Sequence, residues 1–170
     1  MVAASVLCAA TGSAAAATRF VATTGSDEAG NTCLSSAEPC QTVQQAITQA
    51  TPGDTVAIAA GTYLGKFQLN KELTLVGEGP ATLLEGEPTV ERPVFIQSNV
   101  ALENLRIRGG LNGTLAQNAI NLGAAGIHVS LNKVIAEQNP SATDGRNAVY
   151  VPQGTSLTMK DSTITGVGTT

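Results

Sequence analysis

Short apolar triplets recur along the chain at a nearly constant interval, and this repeat restricts the fold more than any other feature of the sequence. One series begins at Phe67, Val94, Ile120 and Val149, and a second begins at Leu73, Val100, Val129 and Leu157. The steps are 27, 26 and 29 residues in the first series and 27, 29 and 28 in the second. A constant period in two independent series indicates a chain that winds through equivalent turns and stacks them.

A third strand follows a bend in each turn, at residues 82–84, 105–107, 134–136 and 162–164. Asn104, Lys133 and Asp161 fall at the bend. The repeat therefore predicts an all-β fold, a right-handed parallel β-helix with three sheets and about four turns over residues 55–170. No capping pattern follows the last strand, so we expect this repeat to be a truncated part of a longer one.

One helix is predicted before the repeat, between Thr42 and Ala50. Its apolar residues Val43, Ala46, Ile47 and Ala50 lie on one face. Thr42 and Gln45 form a capping-box pattern, and Pro52-Gly53 ends the helix. We expect residues 18–54 to form an N-terminal cap in which this helix covers one open end of the solenoid core.

The first seventeen residues carry no charge and end in four consecutive alanines, Ala14 to Ala17. This pattern predicts a signal peptide over residues 1–17, cleaved before Thr18, and a protein that is secreted or displayed at the cell surface. The basic residues with which a signal peptide usually begins are missing here. The alternatives are therefore an unusual apolar N-terminus or a recorded start that lies downstream of the true one. Because the apolar run is too short to span a bilayer stably, we expect no membrane insertion.

Cys33 and Cys40 lie seven residues apart in a loop rich in small residues. In an exported protein this spacing favours a local disulfide. Two free thiols, or half of a metal site, are the alternatives.

The charge distribution argues against a nucleic-acid partner. Nine basic and thirteen acidic residues give a net charge of −4 and a pI near 4.9, and the basic residues do not cluster. The sequence does not indicate an oligomeric state.

Several segments carry a family resemblance: residues 19–27, the loop from Cys33 to Cys40, and residues 42–47, 52–56 and 61–63. Together they resemble the opening of bacterial secreted β-helix proteins of the pectin-lyase-like superfamily, over about residues 19–110. The resemblance implies the fold, the capping helix and secretion. The superfamily includes pectate lyases and polygalacturonases as well as adhesins, and neither enzyme's catalytic motifs occur in this sequence, so no catalytic residue is assigned.

Two groups of residues are candidates for substrate binding. Phe95, Asn121 and Tyr150 occupy the middle of successive triplets and are expected to face outward, as a platform for sugar rings or as ordinary surface. Arg106 and Arg108 face outward on one strand, with Glu137 in register with Arg108 on the next turn. In a lyase such an arginine could act as the base or bind a uronate carboxylate.

Two functions are therefore compatible with the sequence. The first is a surface or secreted β-helix that binds extracellular polysaccharide or serves as an adhesion scaffold. The alternative is the N-terminal part of a lyase or glycosidase acting on pectin-like polyuronates. No metal site or cofactor is predicted, although a lyase would require calcium.

Overall fold

The computed structural model describes residues 15–87, 93–112, 115–145 and 147–166. Most of the predicted signal peptide, residues 1–14, lies outside this part. The described chain is mostly β-strand with one α-helix, and its two larger sheets are built from parallel strands. The predicted all-β class and the single helix are therefore confirmed.

The helix α1 spans Val43–Gln49. The strands, in chain order, are β1 Thr18–Val21, β2 Thr55–Ile58, β3 Gly61–Gly65, β4 Phe67–Leu69, β5 Leu73–Gly77, β6 Thr82–Gly86, β7 Val94–Ile96, β8 Val100–Arg108, β9 Leu111–Asn112, β10 Leu115–Ala116, β11 Ile120–Leu122, β12 His128–Glu137, β13 Asp144–Gly145, β14 Val149–Tyr150, β15 Ser156–Lys160 and β16 Thr163–Thr165.

Both series of apolar triplets stack in parallel register. In the four-stranded sheet β4-β7-β11-β14, Phe67 pairs with Val94, Val94 with Ile120, and Ile120 with Val149. The second series stacks likewise through β5, β8, β12 and β15 of a nine-stranded sheet. The predicted registers are confirmed, and the reason is physical: a one-residue slip would turn every apolar side chain of a strand to the solvent.

Strands β8 and β12 each run without a break through the bend into the third apolar segment, whereas β5 and β6, and β15 and β16, are separate strands. The bend is made by a residue with left-handed backbone conformation, Asn104 at φ 52° and Lys133 at φ 55°. Asp161, at φ 49°, occupies the same place between β15 and β16. Asn104 Nδ2 also donates a hydrogen bond to the Gly77 carbonyl at 3.0 Å, so this side chain satisfies backbone of the preceding turn.

Alternate residues of the strands form one continuous hydrophobic core. The largest fully buried side chains include Phe67, Leu75, Leu84, Ile96, Leu102, Ile107 and Ile120. Burying each such side chain contributes about 1.5–3 kcal/mol relative to exposure. Since the members come from many strands stacked in parallel, no single strand could bury its apolar residues alone.

Helix α1 buries the predicted apolar face, which includes Val43, Ala46 and Ile47. Thr42 Oγ1 accepts a hydrogen bond from the Gln45 amide at 3.2 Å, as the capping pattern predicts. The Thr42 amide donates to Asp27 Oδ1 at 3.1 Å instead of to the Gln45 side chain. At the other end, Lys71 Nζ donates to the carbonyls of residues 47, 48 and 50, where a cation complements the helix dipole.

The predicted disulfide between Cys33 and Cys40 is present, and both cysteines are fully buried. The loop that it closes lies along β1: the Phe20 amide donates to the Cys33 carbonyl at 2.7 Å, and the Cys40 amide donates to the Phe20 carbonyl at 2.9 Å. Strand β1 pairs on its other side with β2. The disulfide loop therefore covers the outer edge of the nine-stranded sheet.

Candidate functional site

Phe95, Asn121 and Tyr150 lie side by side on the four-stranded sheet. Phe95 pairs in register with Asn121, and Asn121 with Tyr150. Neighbouring strands are about 4.8 Å apart, so the two aromatic residues are separated by roughly 10 Å with the amide between them. Parallel pairing thus brings together three side chains that are far apart in the sequence.

These residues line a cavity of about 510 Å³. Its other lining side chains include Asn118, Pro152 and Gln153, and Tyr150 is 48% exposed. Among the described residues that line it, none is charged. The combination of aromatic surface and a few amides is typical of a site for a neutral polar ligand.

Asn118 is the most informative polar residue of this cavity. It is 5% exposed, yet its Oδ1 atom has no hydrogen-bond partner within the described protein. A buried acceptor without a partner costs about 1–3 kcal/mol, so such atoms are uncommon in stable folds. Asn118 borders the cavity, so a ligand hydroxyl could supply the missing donor once the side chain turns its oxygen toward the cavity.

Asn121 was expected to face outward, and the structure places it at the cavity with only 7% of its surface exposed. The segment at 117–119 immediately before β11 is itself buried, which closes this side of the sheet. Sequence reasoning did not identify Asn118. The signal available was a pair of amides, Gln117-Asn118, directly before a buried strand.

The Phe95 ring lies directly over the backbone of Gly123. A Cβ atom at position 123 would overlap the ring. Glycine therefore allows the aromatic ring to lie against the next turn, where it forms one wall of the cavity.

Arg106 and Arg108 lie elsewhere, on β8 of the nine-stranded sheet, and form an ion-pair cluster with two carboxylates. Glu137 Oε1 lies 2.7 Å from Arg106 Nη2 and 2.7 Å from Arg108 Nε. Arg108 Nη1 also lies 3.3 Å from Glu85 Oε1. Burial by itself lowers the pKa of Arg108, but its hydrogen bonds to Glu137 and Glu85 outweigh this effect and the pKa is raised.

The two predicted groups of binding residues are therefore not parts of one site. The arginines belong to a different sheet from Phe95, Asn121 and Tyr150. Two carboxylates already neutralise the two guanidinium groups, so the cluster has no net charge with which to attract a uronate. The arrangement favours a structural ion-pair cluster over a binding role for these arginines.

His128 is the single histidine, and its ring contacts two hydroxyl groups. Ser156 Oγ hydrogen-bonds to Nδ1, and Thr158 Oγ1 lies 3.1 Å from Nε2. In serine hydrolases a carboxylate orients the imidazole, whereas here both ring nitrogens contact hydroxyls. We therefore do not assign nucleophilic catalysis to this pair.

A larger cavity, of about 580 Å³, lies at the disulfide loop. Its amide side chain Asn31 is already engaged, since Nδ2 donates to the Ser26 carbonyl at 2.6 Å and Oδ1 accepts from the Cys33 amide at 2.8 Å. These bonds hold the loop in shape. In contrast, the cavity at Asn118 is bordered by a buried acceptor for which the described part of the chain offers no donor, and we regard it as the better candidate.

The described residues contain no group of three or more histidine, cysteine, aspartate or glutamate side chains able to hold a metal ion. Within the same part of the chain, no helix has the length and apolar character needed to cross a membrane. Comparison with protein-family models finds no match, and comparisons with curated proteins and with solved structures find none either.

Proposed function

We propose that the chain is a right-handed parallel β-helix of the pectin-lyase-like type, secreted or held at the cell surface. Three features support the winding: parallel register between successive turns, two series with one period, and a left-handed residue at the same place in three turns. Right-handed crossovers are the strong preference for parallel strands. The alanine-rich leader pattern and the disulfide support export.

We further propose that its function is to bind a neutral polysaccharide in the cavity between Phe95 and Tyr150. The observation that carries this proposal is the buried Asn118 Oδ1 atom, which has no partner within the described protein. A sugar hydroxyl can donate to this oxygen. The apolar faces of the sugar ring would lie against Phe95 and Tyr150, in the way that most ligand sites combine apolar walls with a few fixed polar groups.

The chemistry of the cavity favours a neutral ligand over a polyuronate. Its described lining contains amides and aromatic rings but no cation, and the whole chain carries a net charge of −4. A carboxylate on each sugar would lose its hydration without gaining a charged partner. The predicted polyuronate activity finds no support in the ion-paired arginines.

The test is calorimetric titration of the purified protein with neutral xylan, glucan and mannan oligosaccharides and with polygalacturonate. We expect binding of at least one neutral oligosaccharide and a dissociation constant at least tenfold higher for Tyr150→Ala and for Asn118→Ala. Tenfold corresponds to about 1.4 kcal/mol, a modest loss for one stacking or one hydrogen-bonding contact.

Leu64→Ala is the matched control, because Leu64 is 58% exposed and lies on β3, away from the cavity. This variant should bind as the unchanged protein does. Unsaturated products from polygalacturonate, measured by ultraviolet absorbance, would instead support the lyase alternative. Absence of binding to every neutral oligosaccharide would overturn the proposed function.

A further inference from the structure

The backbone amide of Ala17 donates a hydrogen bond to a buried carboxylate. Ala17 N lies 2.8 Å from Asp54 Oδ1, and Asp54 is fully buried. The Ala17 carbonyl in turn accepts from the Thr55 amide at 2.8 Å. Ala17 is thus an integrated part of the fold, whereas Ala15 and Ala16 before it are exposed.

The other oxygen of Asp54 is occupied by different donors. Asp54 Oδ2 accepts from Arg19 Nε at 3.2 Å and from the Thr51 amide at 2.9 Å. Arg19 is 9% exposed, and its Nη1 also donates to the Thr32 carbonyl at 2.7 Å. The Ala17 amide is thus the backbone donor to Asp54 Oδ1, and the Thr51 side chain also hydrogen-bonds to this carboxylate.

Sequence rules for signal peptidases do not choose between several adjacent cleavage points. Cleavage requires small residues one and three positions before the cut. Cuts before Ala16, before Ala17 and before Thr18 all satisfy this requirement, because residues 13–17 are serine or alanine. A cut before Thr18, as the sequence alone predicts, would delete the donor that Asp54 Oδ1 uses.

We propose that the leader is cleaved between Ala16 and Ala17, and that the new α-ammonium group of Ala17 forms an ion pair with the buried Asp54 carboxylate. This inference rests on the proposed export, but it is independent of carbohydrate binding. Cleavage at this bond converts a neutral hydrogen-bond donor, already at the correct distance, into a charged one. Charge-assisted hydrogen bonds are roughly twice as strong as neutral ones.

The charged groups that face the new amine are few. Asp54, in the turn between α1 and β2, contacts it directly, and Arg19 of β1 contacts the same carboxylate. The carboxylate therefore lies between two cations, each on its own oxygen. We expect the Asp54 carboxylate to raise the pKa of this amine above the ordinary range of about 7.7–8.0 for an α-amino group.

The first test is the N-terminal residue of the protein exported by a bacterial host, read by mass spectrometry of the intact chain. We expect Ala17 as the first residue. A protein that begins at Ala16 or Thr18 is still exported, so this outcome overturns the inference and leaves export intact. A chain that stays uncleaved inside the host overturns both the cleavage site and the proposed export.

The second test compares purified chains that begin at Ala17 and at Ala16, each released from a removable fusion partner. The longer chain has a neutral amide at Ala17, because its terminal amine lies on Ala16. The two chains are identical from Ala17 onward. We expect the Ala17 chain to unfold about 2–4 °C higher at pH 6–7. Because a raised folded-state pKa stabilises below the unfolded value, this advantage should be lost as the pH rises through the pKa of the folded amine.

Asp54→Asn, introduced into both chains, is the control that removes the charged partner of the Ala17 amine. It should abolish the difference between the two starting points, because the amide carries no charge to pair with the ammonium. Equal melting temperatures for the Ala17 and Ala16 chains at every pH would overturn the ion pair. A difference that persists in Asp54→Asn would also overturn it.

Discussion

Glu137 Oε1 lies 2.7 Å from Arg108 Nε, across two strands that are in register although the residues are 29 positions apart. Both side chains are 17–19% exposed. The pair is therefore partly desolvated, and it links two successive turns of the chain on the outer surface of the nine-stranded sheet. Arg106 binds the same carboxylate oxygen, so Glu137 serves two guanidinium groups.

Glu137→Gln is expected to lower the free energy of unfolding by about 1 kcal/mol, because Arg106 and Arg108 lose the carboxylate that they share and only Glu85 remains, so the two guanidinium groups repel each other. The loss should be larger at low salt, where the repulsion is less screened. Urea denaturation at two ionic strengths measures it. Glu103→Gln is the matched control, since no ion pair of Glu103 is present in the described part of the chain. An equal loss in both variants would contradict the role of Glu137.

Asp54→Asn is expected to lower the free energy of unfolding at pH 7 by about 3 kcal/mol, because it leaves the buried guanidinium of Arg19 without its counter-ion. Burial by itself raises the pKa of Asp54, but hydrogen bonds from the Thr51 and Ala17 amides and from Arg19 outweigh it and hold the pKa below its ordinary value of 3.8. Stability from Asp54 is therefore present above pH 3.8 and lost as the pH falls through the lower folded-state pKa.

The difference between Asp54→Asn and the unchanged protein should accordingly shrink below about pH 4, as protonation removes the charge of Asp54 from the unchanged protein. Denaturation at pH 7, 5 and 3 follows this change. Asp161→Asn serves as the control, because Asp161 is exposed and asparagine accepts its left-handed conformation equally well. A difference that stays constant down to pH 3 would show that the charge of Asp54 is unimportant.

Lys133→Asn is expected to stabilise the protein by about 0.5–1 kcal/mol, because a left-handed φ of 55° is unfavourable for lysine and better tolerated by asparagine. Asn104→Ala, at the equivalent bend, should destabilise it by about 1–2 kcal/mol, since alanine is strained there and cannot donate to the Gly77 carbonyl. Thermal unfolding of the two variants compares them. The two substitutions must change the stability in opposite directions. A destabilised Lys133→Asn would refute the argument from backbone strain.

Gly123→Ala is expected to cost about 1–3 kcal/mol, because the new methyl group would overlap the Phe95 ring. The same substitution in a Phe95→Ala background should cost less, as the overlap is relieved. The double-mutant cycle by thermal unfolding isolates this interaction. Additive effects would mean that the two residues do not meet at the wall of the cavity.

The candidate site could be predicted only in part. The sequence identified Phe95, Asn121 and Tyr150 as neighbours, because the triplet spacing determines which residues pair on adjacent strands. It did not identify Asn118, whose burial depends on how the segment before β11 folds against the sheet. It placed Arg106 and Arg108 on a different strand of the repeat from the aromatic residues, but it did not predict that Glu137 and Glu85 pair with them.

The sequence by itself determined the strands of the two apolar series and their register, because alternating apolar residues at a nearly constant interval can all be buried in only one alignment of neighbouring strands. It also determined the helix and the disulfide loop, through local capping and spacing patterns. Only the tertiary structure decided the partners of polar groups: Asp54 with Arg19 and Ala17, Glu137 with two arginines, and Asn118 with none in the described chain. Such partners come from distant segments, and periodicity describes where a side chain points but not which group it meets.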